Sequence, residues 1–174
     1  VYKRQILREA SPADLPRLAE IYNDILATTD AIWNDAPVDA ENRAQWLAAR
    51  RTQGYPVLVA EEEGRVLGYA SFGDFRPFSG YRLTVEHSVH LAAEARGRGV
   101  GRVLMQALIE AAREAGKHVM VGAIGASNAA SIALHEKLGF THVGMMPEVG
   151  VRQGRWLDLV LMQLRLDAAP AKDR

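Results

Sequence analysis

The chain has 174 residues, with 21 basic and 21 acidic side chains, 48% hydrophobic residues and no cysteine. Balanced charge gives no electrostatic reason to expect nucleic acid or an anionic membrane as partner, and the missing thiols exclude disulfides, thiolate nucleophiles and thiolate metal sites. No apolar run approaches the roughly 20 residues of a membrane span, and a cytoplasmic single domain over 1–174 is expected, with a core at 6–167 and a tail at 168–174.

In chain order, 6–8 is a short strand. Ser11-Pro12-Ala13-Asp14 then supplies an N-cap, an N1 proline and an acidic first turn for a helix carrying Leu15, Leu18, Ile21, Tyr22 and Ile25. Residues 28–38 read as a loop, and Asp39 caps a second helix that holds Trp46 and Leu47 and ends at Gly54. Runs 57–60 and 66–72 make a hairpin around Glu62-Glu63-Gly64, and 83–91 is the next strand. A helix over 103–115 stops at Gly116, and a strand follows at 118–124. A helix opened by Asn128 and strands at 141–145 and 156–166 complete a β-α-α-β-β-β-α-β-α-β-β order.

Between the strand at 83–91 and the helix at 103–115 lies Arg96-Gly97-Arg98-Gly99-Val100-Gly101-Arg102. Its glycines let the backbone approach a ligand without a Cβ in the way, and the following helix aims unpaired N–H groups and a positive dipole end at the same place. A pyrophosphate fits such a cradle. Gly101 is followed by Arg102-Val103, so the Gly-Lys-Ser/Thr ending of a P-loop is missing, and the glycine spacing is not that of a dinucleotide fingerprint. Read alone, the segment fits equally a glycine-rich turn with solvated arginines.

What remains is Arg-x-x-Gly-x-Gly, met by Arg96, Gly99 and Gly101, and downstream an asparagine-initiated helix runs from Asn128 into Leu138-Gly139-Phe140. Together these resemble the two acetyl-CoA signatures of the GNAT N-acetyltransferases. The resemblance implies an α/β (α+β) GNAT acyl-CoA N-acyltransferase fold: a mixed, mostly antiparallel sheet splayed around the cofactor and flanked by helices. It makes acetyl-CoA the co-substrate, with no metal.

Acetyl transfer to an amine needs a donor for the thioester carbonyl, a route for the amine proton and a proton for the thiolate. The strand segment Thr84-Val85-Glu86-His87-Ser88-Val89-His90-Leu91 precedes the cradle and carries the expected reaction site. Backbone N–H groups of Val89 and Leu91 are rigid donors suited to the pantetheine arm and the carbonyl. Glu86 is the base candidate, although a carboxylate near pKa 4.3 needs a raised pKa or a relay through water. His87 and His90 point to opposite faces of the strand, each as a site-lining or packing residue. His135 stands where many GNAT enzymes have tyrosine, and is a candidate acid or hydrogen-bond partner for the sulfur, with a capping or surface role as the alternative. His118 and His142 read as structural.

Over nearly the whole chain the sequence is similar to the phosphinothricin and methionine sulfoximine N-acetyltransferase branch. The similarity rests on Ile21-Tyr22-Asn23-Asp24, Thr28-Thr29-Asp30-Ala31-Ile32-Trp33, Gly68-Tyr69-Ala70-Ser71-Phe72-Gly73, Phe75-Arg76-Pro77-Phe78, Thr84 to Val89, and Gly154-Arg155-Trp156-Leu157-Asp158-Leu159. This implies acetylation of the α-amino group of a small glutamate-like amino acid, a homodimer, Glu86 and His135 as the catalytic pair, and Arg76, Pro77, Phe78, Glu86, His87 and Ser88 at the substrate. The CoA track it implies comprises Val89, His90, Leu91, Arg96 to Arg102 and Asn128. His90 replaces a usual tyrosine, which leaves only its side-chain role open. A guanidinium at Arg76 suits a substrate carboxylate, while a polar turn with aromatic packing explains the same residues. Acetylation of a protein N-terminus or an antibiotic amine, and a non-catalytic acyl-CoA sensor, are the alternatives.

Overall fold

A computed structural model describes residues 5–167; the tail expected at 168–174 lies outside them. Strand β1 (Ile6–Glu9) is followed by helices α1 (Leu15–Thr28) and α2 (Ala40–Thr52), then by strands β2 (Val57–Glu62), β3 (Arg65–Asp74) and β4 (Thr84–Leu91). Helix α3 (Val100–Glu114), strand β5 (Val119–Gly125), helix α4 (Ala129–Lys137), and strands β6 (Thr141–Arg152) and β7 (Arg155–Arg165) follow among the described residues. The seven strands form one sheet in the order β1-β2-β3-β4-β5-β7-β6. Only β4 and β5 run parallel; every other neighbouring pair is antiparallel, as the resemblance implied.

Covering both faces of the sheet explains why β3 is buried continuously from Val66 to Gly73: α3 lies over one face and α1 over the other. The core joins Leu18, Ile21 and Ile25 of α1, Tyr69 and Phe72 of β3, and Leu104, Met105 and Leu108 of α3.

The feature that positions the site is a break in pairing. β4 bonds β5 only from Thr84↔Val119 to Glu86↔Val121, after which the strands part. β4 stays paired with β3 out to Leu91, and β5 stays paired with β7 out to Gly125. Each strand keeps one partner while the two diverge, which leaves a slot between His87–Leu91 and Gly122–Gly125.

Several element boundaries differ from the sequence expectation. Pro12–Asp14 is a separate 3-10 turn, and Asp14 is buried, accepting from the Ser11 N–H at 2.7 Å while paired with Arg8 at 2.7 Å. Helix α1 therefore starts one turn later. Helix α3 starts at Val100, so Gly101 and Arg102 belong to its first turn. The strand expected at 141–145 runs on to Arg152 through Pro147; β7 carries it across a register shift between Met146 and Gly150, with Glu148 in the left-handed region at φ 55°.

The loop segment from Thr28 to Trp33 is anchored within its own chain. Trp33 donates its indole N–H to the Asp30 carbonyl at 3.0 Å and lies against Gly150 of β6, where an added Cβ would come within 2.5 Å of the ring. Ile32 is buried in the core. Arg152, also buried, donates to the carbonyls of Leu26, Thr29 and Ile32 at 2.9–3.1 Å.

Candidate active site

The slot holds a cavity of about 140 Å³, lined by His87 to His90 of β4, Ala123 to Gly125 of β5, and Asn128, Ser131 and His135, with Ile25 and Ala31 at its other wall. The Ala92 N–H donates to Leu67 at 2.8 Å, so by strand alternation the N–H groups of Ser88 and His90 face β3. Those of Val89 and Leu91 then face the slot, as the sequence reading required.

At one end of the slot is the glycine cradle. Gly97 and Gly99 have φ of 73° and 82°, a conformation L side chains rarely adopt, and Gly99 caps α3. Among the described residues, the N–H groups from Gly97 to Arg102 donate to no carbonyl of the chain, while Val103 closes the first helical bond to Gly99 at 3.1 Å. A run of open donors at a helix start is the arrangement that takes a phosphate group. Gly101 plays another part: a Cβ there would lie 3.2 Å from Leu91 and 3.5 Å from Leu134, so its smallness lets β4, α3 and α4 meet. Arg98 pairs with Glu62 at 2.9 Å. Arg96 and Arg102 are exposed and make no ion pair among the described residues.

The structure separates the two residues expected to act together. Glu86 and His135 share no contact; Glu86 lies opposite Gly73, on the face of β4 other than that of His87. Glu86 is half-buried, and burial raises its carboxyl above the usual carboxylate range. His135 meets His87 instead. Their Nε2 atoms are 2.8 Å apart, and the rings stack at 4.8 Å with 18° between planes. Phe140 stands edge-on to both. Burial pushes His87 down to about 3 and lowers His135, opposed in the latter by the Ser131 carbonyl.

On the opposite face His90 is packed between Tyr22 at 5.8 Å and Tyr69 at 5.1 Å, and burial holds it down to about 4. Its side chain is an aromatic packing element. Ser88 lies opposite Ser71. Asn128 caps α4, its side chain accepting from Ser131 at 3.2 Å. Arg76, Pro77 and Phe78 are exposed on the turn after β3, Arg76 resting on the Phe75 ring at 5.4 Å and Phe78 70% exposed, and none of the three lines the cavity among the described residues. His118 bonds Asp167 at 2.6 Å and His142 bonds Glu136 at 2.8 Å, both at the surface. Among the described residues no group of three His, Asp or Glu is placed to hold a metal, and no helix is long and apolar enough to cross a membrane.

Sequence reasoning missed three residues at or beside the site. Gly122 reads as an ordinary strand glycine, yet a Cβ there would lie 3.1 Å from His87 Nε2 and 3.2 Å from His135 Cδ2. Ser131 reads as a helix residue, and its carbonyl accepts from His135 Nδ1 at 2.6 Å. Arg43 reads as a solvated helix residue; it is buried between the rings of Tyr22 and Trp46 at 4.9 and 4.8 Å, without a carboxylate partner among the described residues. Only Arg43 had a signal, its spacing from Trp46 on one helix face.

A splayed sheet that opens onto a phosphate-ready helix start defines a class, and the comparisons agree with it. The chain belongs to the acetyltransferase (GNAT) family, whose model matches residues 18–140. It is 59% identical over 162 residues to the L-methionine sulfoximine/L-methionine sulfone acetyltransferase of Pseudomonas paraeruginosa, covering 92% of this chain and 94% of that one. It is 40% identical to the phosphinothricin N-acetyltransferase of Alcaligenes faecalis, covering 89% and 79%. Among solved structures it superposes with a TM-score of 0.94, at 55% identity and 97% and 98% coverage, on an acetyltransferase from Salmonella typhimurium determined with acetyl-CoA. A ribosomal-protein-alanine N-acetyltransferase from Brucella melitensis matches with a TM-score of 0.91 at 55% identity, covering 92% and 99%.

Proposed function

We propose that the chain moves the acetyl group of acetyl-CoA onto the α-amino group of a small glutamate-like amino acid, of the methionine sulfoximine, methionine sulfone or phosphinothricin type. The observation that carries this is the row of open N–H donors from Gly97 to Arg102 at the mouth of the β4–β5 slot, read with the names of the relatives matched over almost the whole chain. The cradle fits the pyrophosphate of CoA, with Arg96 and Arg102 available to its charge. The N–H groups of Val89 and Leu91 hold the pantetheine arm and polarise the thioester carbonyl.

Glu86 accepts the proton that the amine loses, directly or through a water, and its raised pKa brings it closer to that task. His135 serves the departing thiolate. Arg76 takes the substrate carboxylate, with Pro77 and Phe78 beside it and His87 and Ser88 on the strand side. Because Arg76 and Phe78 stand apart from the slot, this half of the pocket is completed by a second copy of the chain. The enzyme is a cytoplasmic homodimer in this reading, with one domain over 6–167 carrying the site. The solved relative that acts on a ribosomal protein favours a second reading, acetylation of a protein N-terminus.

CoA-thiol release measured across free amino acids, methionine sulfone among them, and N-terminal peptides tests the assignment. Faster turnover of methionine sulfone than of any peptide is expected. A peptide preference overturns the substrate and leaves the acetyltransferase.

A further inference from the structure

Tyr69, Ser71 and Gly73 of β3 share one face of the sheet with His90, Ser88 and Glu86, their partners on β4. Helix α2 covers the β3 half of that face. Trp46 stands edge-on to Tyr69 at 5.8 Å, and Arg50 donates from Nε to Ser71 Oγ at 3.1 Å. The Ser71 hydroxyl is fully buried and gives its own hydrogen to the Pro56 carbonyl at 2.8 Å, so toward Arg50 it can only accept. The guanidinium continues over Gly73, where an added Cβ would collide with Nη1 and lie 2.9 Å from Nη2. The missing side chain at Gly73 leaves the room it occupies.

A guanidinium held this firmly still lacks an anion. Arg50 is half-buried and makes no ion pair among the described residues, and burial lowers its pKa. Nη1 has only a long contact to Gln53 at 3.4 Å; Nη2 has no partner among the described residues, yet it is not sealed from solvent. The neighbouring carboxylate, Asp74, accepts from the Tyr55 hydroxyl instead. Across one strand spacing of about 4.8 Å, the Glu86 carboxyl and the Ser88 hydroxyl are in the same condition, without a partner among the described residues and open to solvent. Ser88 also lines the cavity, so this face opens into the slot.

We infer that Arg50 is a specificity-determining residue of the acceptor site: its free N–H groups take the paired oxygens at the far end of the substrate side chain, while the amine lies at Glu86 and the carboxylate at Arg76. The inference rests on the proposed acetyl transfer to a glutamate-like amino acid and supplies the contact for its sulfone, sulfoximine or phosphinate group. Order along the strands gives the assignment. Arg50 covers Ser71 and Gly73, level with Ser88 and Glu86, whereas Arg76 follows Phe75, whose N–H meets the Thr84 carbonyl at 3.4 Å on the other side of Glu86. Glu86 is thus flanked by a cation on each side, as the amine of a glutamate-like acid is flanked by its carboxylate and its side-chain terminus. A planar fork of donors suits two oxygens on one tetrahedral atom, and the Trp46 ring lies 5.7 Å from the guanidinium carbon.

Steady-state kinetics of the whole protein with methionine sulfone and with methionine, which differ only in the two oxygens, test this. Arg50→Lys keeps the charge and the stem but loses the fork; Arg50→Met loses charge and donors together. Each variant is expected to lose at least about tenfold more in kcat/KM on methionine sulfone than on methionine, mostly through KM, with the acetyl-CoA KM within about twofold of wild type. Arg50→Lys decides on its own if the methionine variant fails to fold. Equal losses on both acceptors overturn the inference, because they place Arg50 at a group that the two share, or in the fold. If wild type and variants turn over methionine sulfone equally well, Arg50 alone loses its role. If the wild-type protein acetylates peptides and neither amino acid, the proposed substrate falls and this contact with it.

Discussion

Glu86 has an environment that works against folding and suits a base. Its carboxyl is raised by burial, so the folded chain holds a proton more tightly than the unfolded one, and stability falls as pH rises from the usual carboxylate range through the raised value. Glu86→Gln is therefore expected to lower kcat sharply and yet leave the protein at least as stable at neutral pH. Steady-state kinetics beside urea unfolding test this, and the kinetic loss should shrink at high pH, where the amine is already neutral. The buried histidines act in the opposite sense. His87, His90 and His135 all have folded values below 6.5, so the unfolded chain takes up protons first and stability is lost as pH falls below about 6.5, down toward 4. Each contributes a slope of up to about 1.4 kcal/mol per pH unit, and unfolding midpoints measured from pH 7 to pH 4 should steepen accordingly. His90→Phe, which keeps the aromatic contacts with Tyr22 and Tyr69, should flatten part of that fall. At Gly99, φ of 82° makes any side chain cost about 1–2 kcal/mol, and nothing of the protein lies within 4 Å of an added Cβ. Gly99→Val is thus expected to lower the melting temperature modestly while raising the acetyl-CoA KM strongly. An unchanged KM would remove the cradle from the cofactor site.

At the level of elements, β6 does two jobs that its sequence hides. One face carries Gly150 and Arg152, which seat Trp33 and tie down the carbonyls at the end of α1 and in the loop beyond it. That loop supplies Ala31 to the slot, so β6 shapes the site from a distance. Arg152→Met keeps the aliphatic volume and strands three carbonyls, Leu26, Thr29 and Ile32. A loss of about 3 kcal/mol is expected. Urea denaturation gives the number, and a loss under a few tenths would mean that water satisfies those carbonyls. The other consequence concerns the edge. β6 ends the sheet with Val143, Met145, Met146, Val149 and Val151 exposed, and Trp156 of β7 lies opposite Val151.

For the whole molecule, that edge is the strongest support for the proposed dimer. The six side chains are between 45% and 66% exposed on the edge strand and its neighbour. A partner copy seated there lies on the β6 side of the molecule, where the loop from Thr28 to Trp33 also ends. Light scattering is expected to return twice the chain mass of 19.1 kDa. Met145→Lys with Val151→Lys should return the single mass and reduce turnover of methionine sulfone. A wild-type monomer would leave Arg76 and Phe78 without the second wall that the substrate reading requires.

Local chemistry is what the sequence by itself determined: the strand and helix order, the Gly97–Gly99 cradle, Asn128 as a cap, and Val89 and Leu91 as the slot-facing donors. Each depends on residues close in the chain, where alternation and helix capping act directly. The glycine stop at Gly116 and the cap at Asp39 are of the same kind. The extent of β6 was not legible, because Gly144, Pro147 and Gly150 punctuate it and only pairing with β7 carries it through. Tertiary structure alone decided the partners of the catalytic candidates. His87 and His135 are 48 residues apart and meet because β4 and β5 part after Glu86 and Gly122 leaves room for two rings. Glu86 is kept from His135 by one step of strand alternation. No spacing in a single chain encodes which side chain fills the space that a distant glycine leaves.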